Sequence, residues 1–118
     1  MSGADVFLPA HSKLARTISK SDWQLLFDRS RAFQNEKFPD QSIDSKLIHL
    51  AREVEELRKE PTEIEEFADC LILIFGCAAK QGLTAQQLVS AAHKKLTVCE
   101  KRTWGPADAE GVHHHLEQ

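Results

Sequence analysis

The chain has 118 residues, which is enough for one domain with a hydrophobic core and too few for two. Apolar residues make up 42% and charged residues 28% of the sequence, proportions typical of a folded globular domain rather than a disordered chain. The formal net charge is −3, and no basic stripe is evident. These features argue against nucleic acid as a partner.

The longest apolar run, Cys70 to Ala79, is about half as long as a membrane-spanning helix. The first twenty residues contain no apolar run of the signal-peptide kind. Cysteine occurs at Cys70, Cys77 and Cys99, an odd number without the close spacing of a metal site, which indicates free thiols in a reducing compartment. We therefore expect a cytoplasmic protein that has no membrane partner.

Residues 1–20 show no clear period and are predicted to form an N-terminal arm. A first helix is predicted from Ser21 to about Lys37, because Ser21 and Gln24 have the spacing of a capping box. Phe38-Pro39-Asp40 ends this helix. A second helix is predicted from Asp44 or Ser45 to about Lys59, with an apolar stripe of Leu47, Leu50, Val54 and Leu57.

Two further capping boxes predict the remaining helices. Thr62 opens a third helix that runs to about Gln81, where Gly82 stands at the expected terminating position. Thr84 opens a fourth helix that runs to about Thr103. Short connections between consecutive helices predict an all-α four-helix bundle over residues 21–104, followed by a polar C-terminal tail over residues 105–118.

The third helix is apolar on every side from Cys70 to Ala79, although a four-helix monomer of this size leaves each helix one face in water. We therefore predict an oligomer, a homodimer or a homotetramer. The alternative is a core helix that the N-terminal arm covers.

Four carboxylates are arranged as two pairs. Glu53 and Glu56 stand three residues apart on the second helix, and Glu66 and Asp69 stand three apart on the third. Each pair therefore shares one helix face, and the short connection makes the two helices antiparallel neighbours. Both pairs border the apolar stripes of their helices, so the four acids are expected to face one another at the edge of the core.

Carboxylates that are gathered in this way repel one another unless they are protonated or bridged by cations. Oxygen ligands select Mg²⁺, Mn²⁺ or Ca²⁺ over Zn²⁺. The pattern thus fits a site for one or two magnesium ions that carry a polyphosphate. The alternative is a solvated acidic face with local ion pairs, such as Glu55 with Lys59.

With these motifs the sequence resembles the MazG-like, all-alpha nucleotide pyrophosphohydrolases. Their hallmark is ExxE on one helix and ExxD on the next, present here as Glu53–Glu56 and Glu66–Asp69. His49-Leu50 before the first motif, the apolar run after the second and the basic segment AAHKKLTVCEKRTW also match. The similarity covers the region from about Phe33 to Trp104.

The resemblance implies that Glu53, Glu56, Glu66 and Asp69 are the catalytic acids and the ligands of Mg²⁺, for which Mn²⁺ could substitute. A water would attack the α phosphorus of a nucleoside triphosphate, releasing pyrophosphate. One glutamate could act as the general base, and the sequence does not indicate which. The resemblance also implies a role in removing unwanted nucleotides from the pool; the base and sugar preferences stay open.

Substrate contacts are implied for the basic helix end. Lys95, Lys101 and Arg102 would neutralise phosphate charge, or they simply complement the dipole at a helix C-terminus. Several relatives carry asparagine near the position of Cys99, so the phosphate contact that the resemblance implies at this position is not expected of the cysteine. His49 lies one turn before Glu53 and either touches a ligand carboxylate or acts as a cap or core residue.

Four aromatic residues could stack a base, or they belong to core or interface packing: Trp23, Phe27, Phe33 and Trp104. The histidine run His113 to His115 is given no role. Two other functions are compatible with a helical bundle that carries acidic residues. A di-iron bundle needs Glu-x-x-His pairs, which the four predicted helices lack. A non-catalytic interaction module would be expected to have lost one of the motif acids, and all four are present.

Overall fold

The computed structural model describes residues 21–116, so the predicted arm over residues 1–20 lies outside the described residues. Four helices follow one another: α1 Asp22–Lys37, α2 Ile43–Lys59, α3 Ile64–Lys80 and α4 Ala85–Lys101. Two short strands come next, β1 Trp104–Ala107 and β2 His113–His115. The all-α prediction with four helices is confirmed. The chain divides into two compact units after Ala85.

Side-chain caps begin the first two helices. Ser21 Oγ accepts a hydrogen bond from the Gln24 N–H at 3.1 Å, as the spacing predicts. Ser42 Oγ accepts one from the Ser45 N–H at 3.0 Å, so α2 begins at Ile43, slightly earlier than predicted.

The capping box predicted at Thr62 is wrong. The residue that precedes α3 is Glu63, and its side chain makes no capping hydrogen bond. The Glu63 N–H instead bonds to the Glu60 carbonyl at 3.1 Å, closing a turn that delays the helix to Ile64.

The end of α3 agrees with its prediction. Gly82 has a φ of +81°, a conformation that side-chain-bearing residues rarely adopt. The Gly82 N–H bonds to the Ala79 carbonyl and the Leu83 N–H to the Ala78 carbonyl, both at 3.0 Å. These two hydrogen bonds form a Schellman motif, which provides donors for two carbonyls that have no partner within the helix.

In the first unit, α3 packs against both α1 and α2. Phe27 of α1 and Phe75 of α3 are fully buried, with ring centroids 5.3 Å apart, and the Trp23 ring meets Phe75 edge-on at 5.9 Å. The other buried apolar residues of α3 are Cys70, Leu73, Cys77 and Ala78. The apolar run of α3 therefore supplies most of this core.

A buried polar contact joins the same three helices. Gln34 of α1 donates from Nε2 to the Ile72 carbonyl of α3 at 2.9 Å, and its Oε1 accepts from Lys46 Nζ of α2 at 3.2 Å. Gly76 makes room for this amide, because a Cβ at that position would overlap it. Burial lowers the pKa of Lys46, which is only 3% exposed, and nearby Lys80 lowers it further while Cys77 opposes the shift.

The outer side of α3 is not covered within the described chain. Ile64 is 76% exposed, Phe67 54% and Ile74 40%, and they lie on one helical stripe. Among residues 21–116 no single helix is long and apolar enough to cross a membrane, and only α3 and α4 taken together reach that length and hydropathy.

The second unit contains a hairpin where the sequence predicted a polar tail. Strands β1 and β2 pair antiparallel, with Trp104 opposite His115 and Ala107 opposite His113. Asp108 closes the turn, since its Oδ1 accepts from the N–H groups of Glu110 and Val112, each at 2.9 Å. Three consecutive histidines and a Trp-Gly-Pro sequence show no polar–apolar alternation, which is why the strands were not predicted.

Candidate active site

Three of the four motif acids converge between α2 and α3. One carboxylate oxygen from each of Glu53, Glu66 and Asp69 lies within 4.8 Å of the other two. Among the acidic, histidine and cysteine side chains of residues 21–116, this group of three could together hold a metal ion. Glu56, one turn further along α2, lies outside the group.

The negative charge of this cluster affects the pKa of Glu66. Burial raises the pKa of Glu66, and the neighbouring Asp69, Glu53 and Glu56 raise it further. The pKa of the Cys70 thiol is also raised, first by burial and then by Glu53 and the other acids. The three side chains that converge are all carboxylates, and this oxygen donor set suits hard divalent cations.

His49 lies where its spacing predicts, one turn before Glu53 on α2. Its Nε2 is 3.8 Å from Glu53 Oε2, so the ring sits beside a carboxylate of the cluster.

A cavity of about 350 Å³ adjoins the acids. Glu53 and Asp69 line it together with three aromatic side chains, Phe33, Phe38 and His49. The Phe33 and Phe38 rings meet edge-on at 6.0 Å, and Phe38 meets His49 edge-on at 6.4 Å. The remaining lining residues are Gln34, Ile72 and Leu73. The arrangement places an apolar, aromatic recess directly beside the carboxylates.

The aromatic candidates thus separate into groups. Phe33 lines the cavity, whereas the rings of Trp23 and Phe27 pack on Phe75. Trp104 belongs to the second unit, where its Nε1 donates to the Cys99 carbonyl at 3.0 Å and its ring meets His115 edge-on at 6.0 Å.

The predicted phosphate-binding cations also belong to the second unit. Lys95 and Lys101 are exposed on α4, and Arg102 lies 3.4 Å from His115 Nδ1. Their role toward phosphate stays a prediction.

Sequence reasoning missed Phe38 as a lining residue and treated it only as part of a helix end. It also missed Gln34 and Lys46, whose side chains hold the helices that carry the acids. One signal was available for Gln34: it lies four residues after Ser30 and seven after Phe27, so a polar residue continues the buried face of α1.

Residues 26–118 match the family model described as dATP/dGTP pyrophosphohydrolase. A solved structure of similar fold is a cyanophage S-2L MazG-like pyrophosphohydrolase bound to dGDP and three catalytic Mn²⁺ ions per active site. It is 26% identical, with a TM-score of 0.70, and the match covers 83% of this chain and 100% of that chain. No curated protein matches.

The family model covers well over half of the chain, and the structural match extends the likeness to the whole of the MazG-like protein. The earlier alternative of a non-catalytic module is set aside by this membership. The chain belongs to the dATP/dGTP pyrophosphohydrolase family and is a MazG-like nucleoside triphosphate pyrophosphohydrolase.

Proposed function

We propose that this enzyme hydrolyses deoxynucleoside triphosphates, dATP and dGTP foremost, to the monophosphate and pyrophosphate with Mg²⁺ as its cofactor. The observation that carries the proposal is the convergence of Glu53, Glu66 and Asp69 oxygens beside an aromatic cavity. The preference for dATP and dGTP rests on the description of the family model, and the use of a divalent metal on the Mn²⁺-bound relative.

The residues present fit a hard divalent cation. Glu53, Glu66 and Asp69 would hold it, since their oxygens already lie within reach of one another and their mutual repulsion favours a bridging cation. When bound, Mg²⁺ or its substitute Mn²⁺ supplies Lewis acidity toward the triphosphate and activates the attacking water. Glu56 adds negative charge one turn away, and His49 Nε2 lies 3.8 Å from Glu53 Oε2.

The apolar recess would orient the nucleoside. Phe33, Phe38 and His49 offer ring edges and faces to a base, while the acids face the phosphate end. We also propose that Lys95, Lys101 and Arg102 neutralise phosphate charge and that Trp104 contributes to the substrate site.

The test is a pyrophosphate assay with Mg²⁺ and a panel of ribo-, deoxyribo- and modified nucleoside triphosphates. Glu53→Gln should lower turnover by about 100-fold or more, the scale of losing a group that stabilises charge in the transition state. Glu55→Gln is the matched control, because Glu55 lies two residues away and pairs with Arg58. It should keep full activity.

Orthophosphate as the sole product, or equal activity of the Glu53 and Glu55 variants, would overturn the proposed reaction. The same panel bears on the biological role. We propose removal of unwanted triphosphates from the nucleotide pool in the cytoplasm, and turnover confined to a metabolite outside the nucleotides would rule this out.

We further propose that the enzyme is a homodimer or homotetramer. The support is the uncovered stripe Ile64, Phe67 and Ile74 on α3.

A further inference from the structure

A second cavity, of about 520 Å³, lies along α1 next to the aromatic cavity. Phe33 and Ile72 line both cavities, so the two adjoin across these side chains. The rest of its lining comes from α1: Leu26, Arg29, Ser30 and Ala32. Ile72 lies three residues after Asp69 on α3, about 4.5 Å of helix rise. The residue of α3 that lines this cavity is thus one helical turn from an acid of the cluster.

Ser30 is the unusual residue of this second cavity. It is only 4% exposed, and its Oγ is buried without a hydrogen-bond partner among residues 21–116. No other buried side-chain oxygen or nitrogen in the described residues lacks a partner. A buried hydroxyl without a partner is destabilising, so its presence needs a reason.

We infer that Ser30 is a specificity-determining residue whose hydroxyl hydrogen-bonds the edge of the substrate's base. This inference rests on the proposed function, and it places the base of the substrate in the second cavity. A hydroxyl can donate to a ring nitrogen or accept from an exocyclic amino group, and both kinds of group occur on purine edges. Because the Ser30 Oγ is buried, its side chain must rotate toward the cavity for the base to supply the partner that it lacks.

The chemistry of the walls selects the base rather than the phosphates. Leu26, Ala32, Phe33 and Ile72 offer apolar surface to a flat ring, and Ser30 offers one neutral polar group. Arg29 is the one cationic residue of the lining, whereas a triphosphate needs several positive charges.

The position of Ser30 selects larger bases. Ser30 lies three residues before Phe33 on α1, which is a helix rise of about 4.5 Å toward the N-terminus. The two-ring purine reaches further from its sugar than the single ring of a pyrimidine. Contact with Ser30 therefore favours purine nucleotides.

Stability in the absence of nucleotide gives the first measurement. Ser30→Ala removes an unpartnered buried hydroxyl, so the denaturation midpoint should rise. Alanine also favours helix over serine, and Ser90→Ala, at an exposed position of α4, reports that effect alone. The Ser30 variant should gain more than the Ser90 variant. An equal gain would show that the hydroxyl carries no cost and would overturn the inference.

Kinetics give the second measurement. With purine deoxynucleoside triphosphates, Ser30→Ala should lower kcat/KM by about three- to tenfold, the contribution of one neutral hydrogen bond. It should leave pyrimidine substrates and a base-free deoxyribose triphosphate unchanged. Ser30→Thr, which retains the hydroxyl, should retain purine selectivity.

The outcomes separate the two hypotheses. A wild-type enzyme that releases no pyrophosphate from any triphosphate overturns the proposed function and this inference with it. An active wild type whose Ser30→Ala variant keeps its purine selectivity overturns this inference alone. An equal loss with every substrate, the base-free one included, assigns Ser30 a structural role and also overturns it.

Discussion

Gly76 shows how the absence of a side chain can hold a site together. The Gln34 amide occupies the space that a Cβ on Gly76 would fill, and through it α1 bonds to the Ile72 carbonyl and to Lys46. Displacing this amide would break both bonds and leave the Lys46 ammonium buried without an acceptor, which is costly.

We therefore expect Gly76→Ala to lower the free energy of unfolding by about 1–3 kcal/mol, the usual range for overpacking a core. Helix propensity alone would make the alanine variant more stable than the glycine by about 1 kcal/mol, so a loss of stability can be assigned to the overlap with Gln34. Urea denaturation measures the effect. Adding Gln34→Ala to the Gly76 variant should recover part of the loss, because the overlap is then relieved. A more stable single variant would contradict this account.

At the residue scale, the sequence was sufficient to identify the acidic cluster but not the residues that support it. The spacing of Glu66 and Asp69 puts both on one face of α3, and a short connection brings that face beside Glu53 of α2; Glu56, the fourth acid predicted, lies outside the group. Lys46 and Gln34 could not be identified in this way. Burial of a lysine depends on which residue faces it across three helices, and periodicity within one helix carries no such information.

The hairpin is the element whose stability depends most clearly on one side chain. His114 Nε2 lies 2.8 Å from Asp108 Oδ2, and two backbone N–H groups bond the other oxygen. The His114 side chain first, and then these N–H groups, lower the pKa of Asp108 below its ordinary value of 3.8.

The sign of the pH dependence follows from this depressed pKa. The contribution of Asp108 is present above pH 3.8, its unfolded value, and is lost as the pH falls through the lower folded value. We expect Asp108→Asn to speed amide hydrogen exchange in residues 104–115 at neutral pH and to remove the acid-dependent part of their protection. NMR measures both effects. Asp40→Asn, in the exposed connection before α2, serves as the control, and identical behaviour of the two variants would refute the role of Asp108.

At the element scale, helix ends were predicted where a local pattern decides them. Ser21 caps α1 and Gly82 ends α3 because a single side chain, or its absence, satisfies the open backbone groups. The start of α3 was not predictable from Thr62, because a backbone turn from Glu60 to Glu63 competes with the side-chain cap.

For the whole molecule, the uncovered stripe on α3 predicts that the protein associates with copies of itself. Ile64, Phe67 and Ile74 leave large apolar surfaces in water, and burying them between chains would be favourable. Light scattering at micromolar concentration should therefore report more than one chain per particle. Ile74→Glu should shift the population toward smaller species, whereas Gln81→Glu, at the exposed end of α3, should not. A wild-type monomer would refute the proposed oligomer.

The order of helices and their apolar stripes sufficed to predict the all-α class, because short connections leave few ways to arrange four amphipathic helices. The hairpin after α4 was not predictable, since its pairing depends on the Asp108 turn and not on a hydrophobic face.

The contact among Gln34, Lys46 and Gly76 has a consequence for how the chain tolerates insertions. It holds α1, α2 and α3 at a fixed relative height from within the helices, in addition to the residues that connect them. Lengthening a surface connection costs little, about 0.6 kcal/mol for each doubling. Extra residues near Asp40 or Pro61 should therefore leave the three acids in register, which makes these two connections suitable places to graft a tag or a sensor domain.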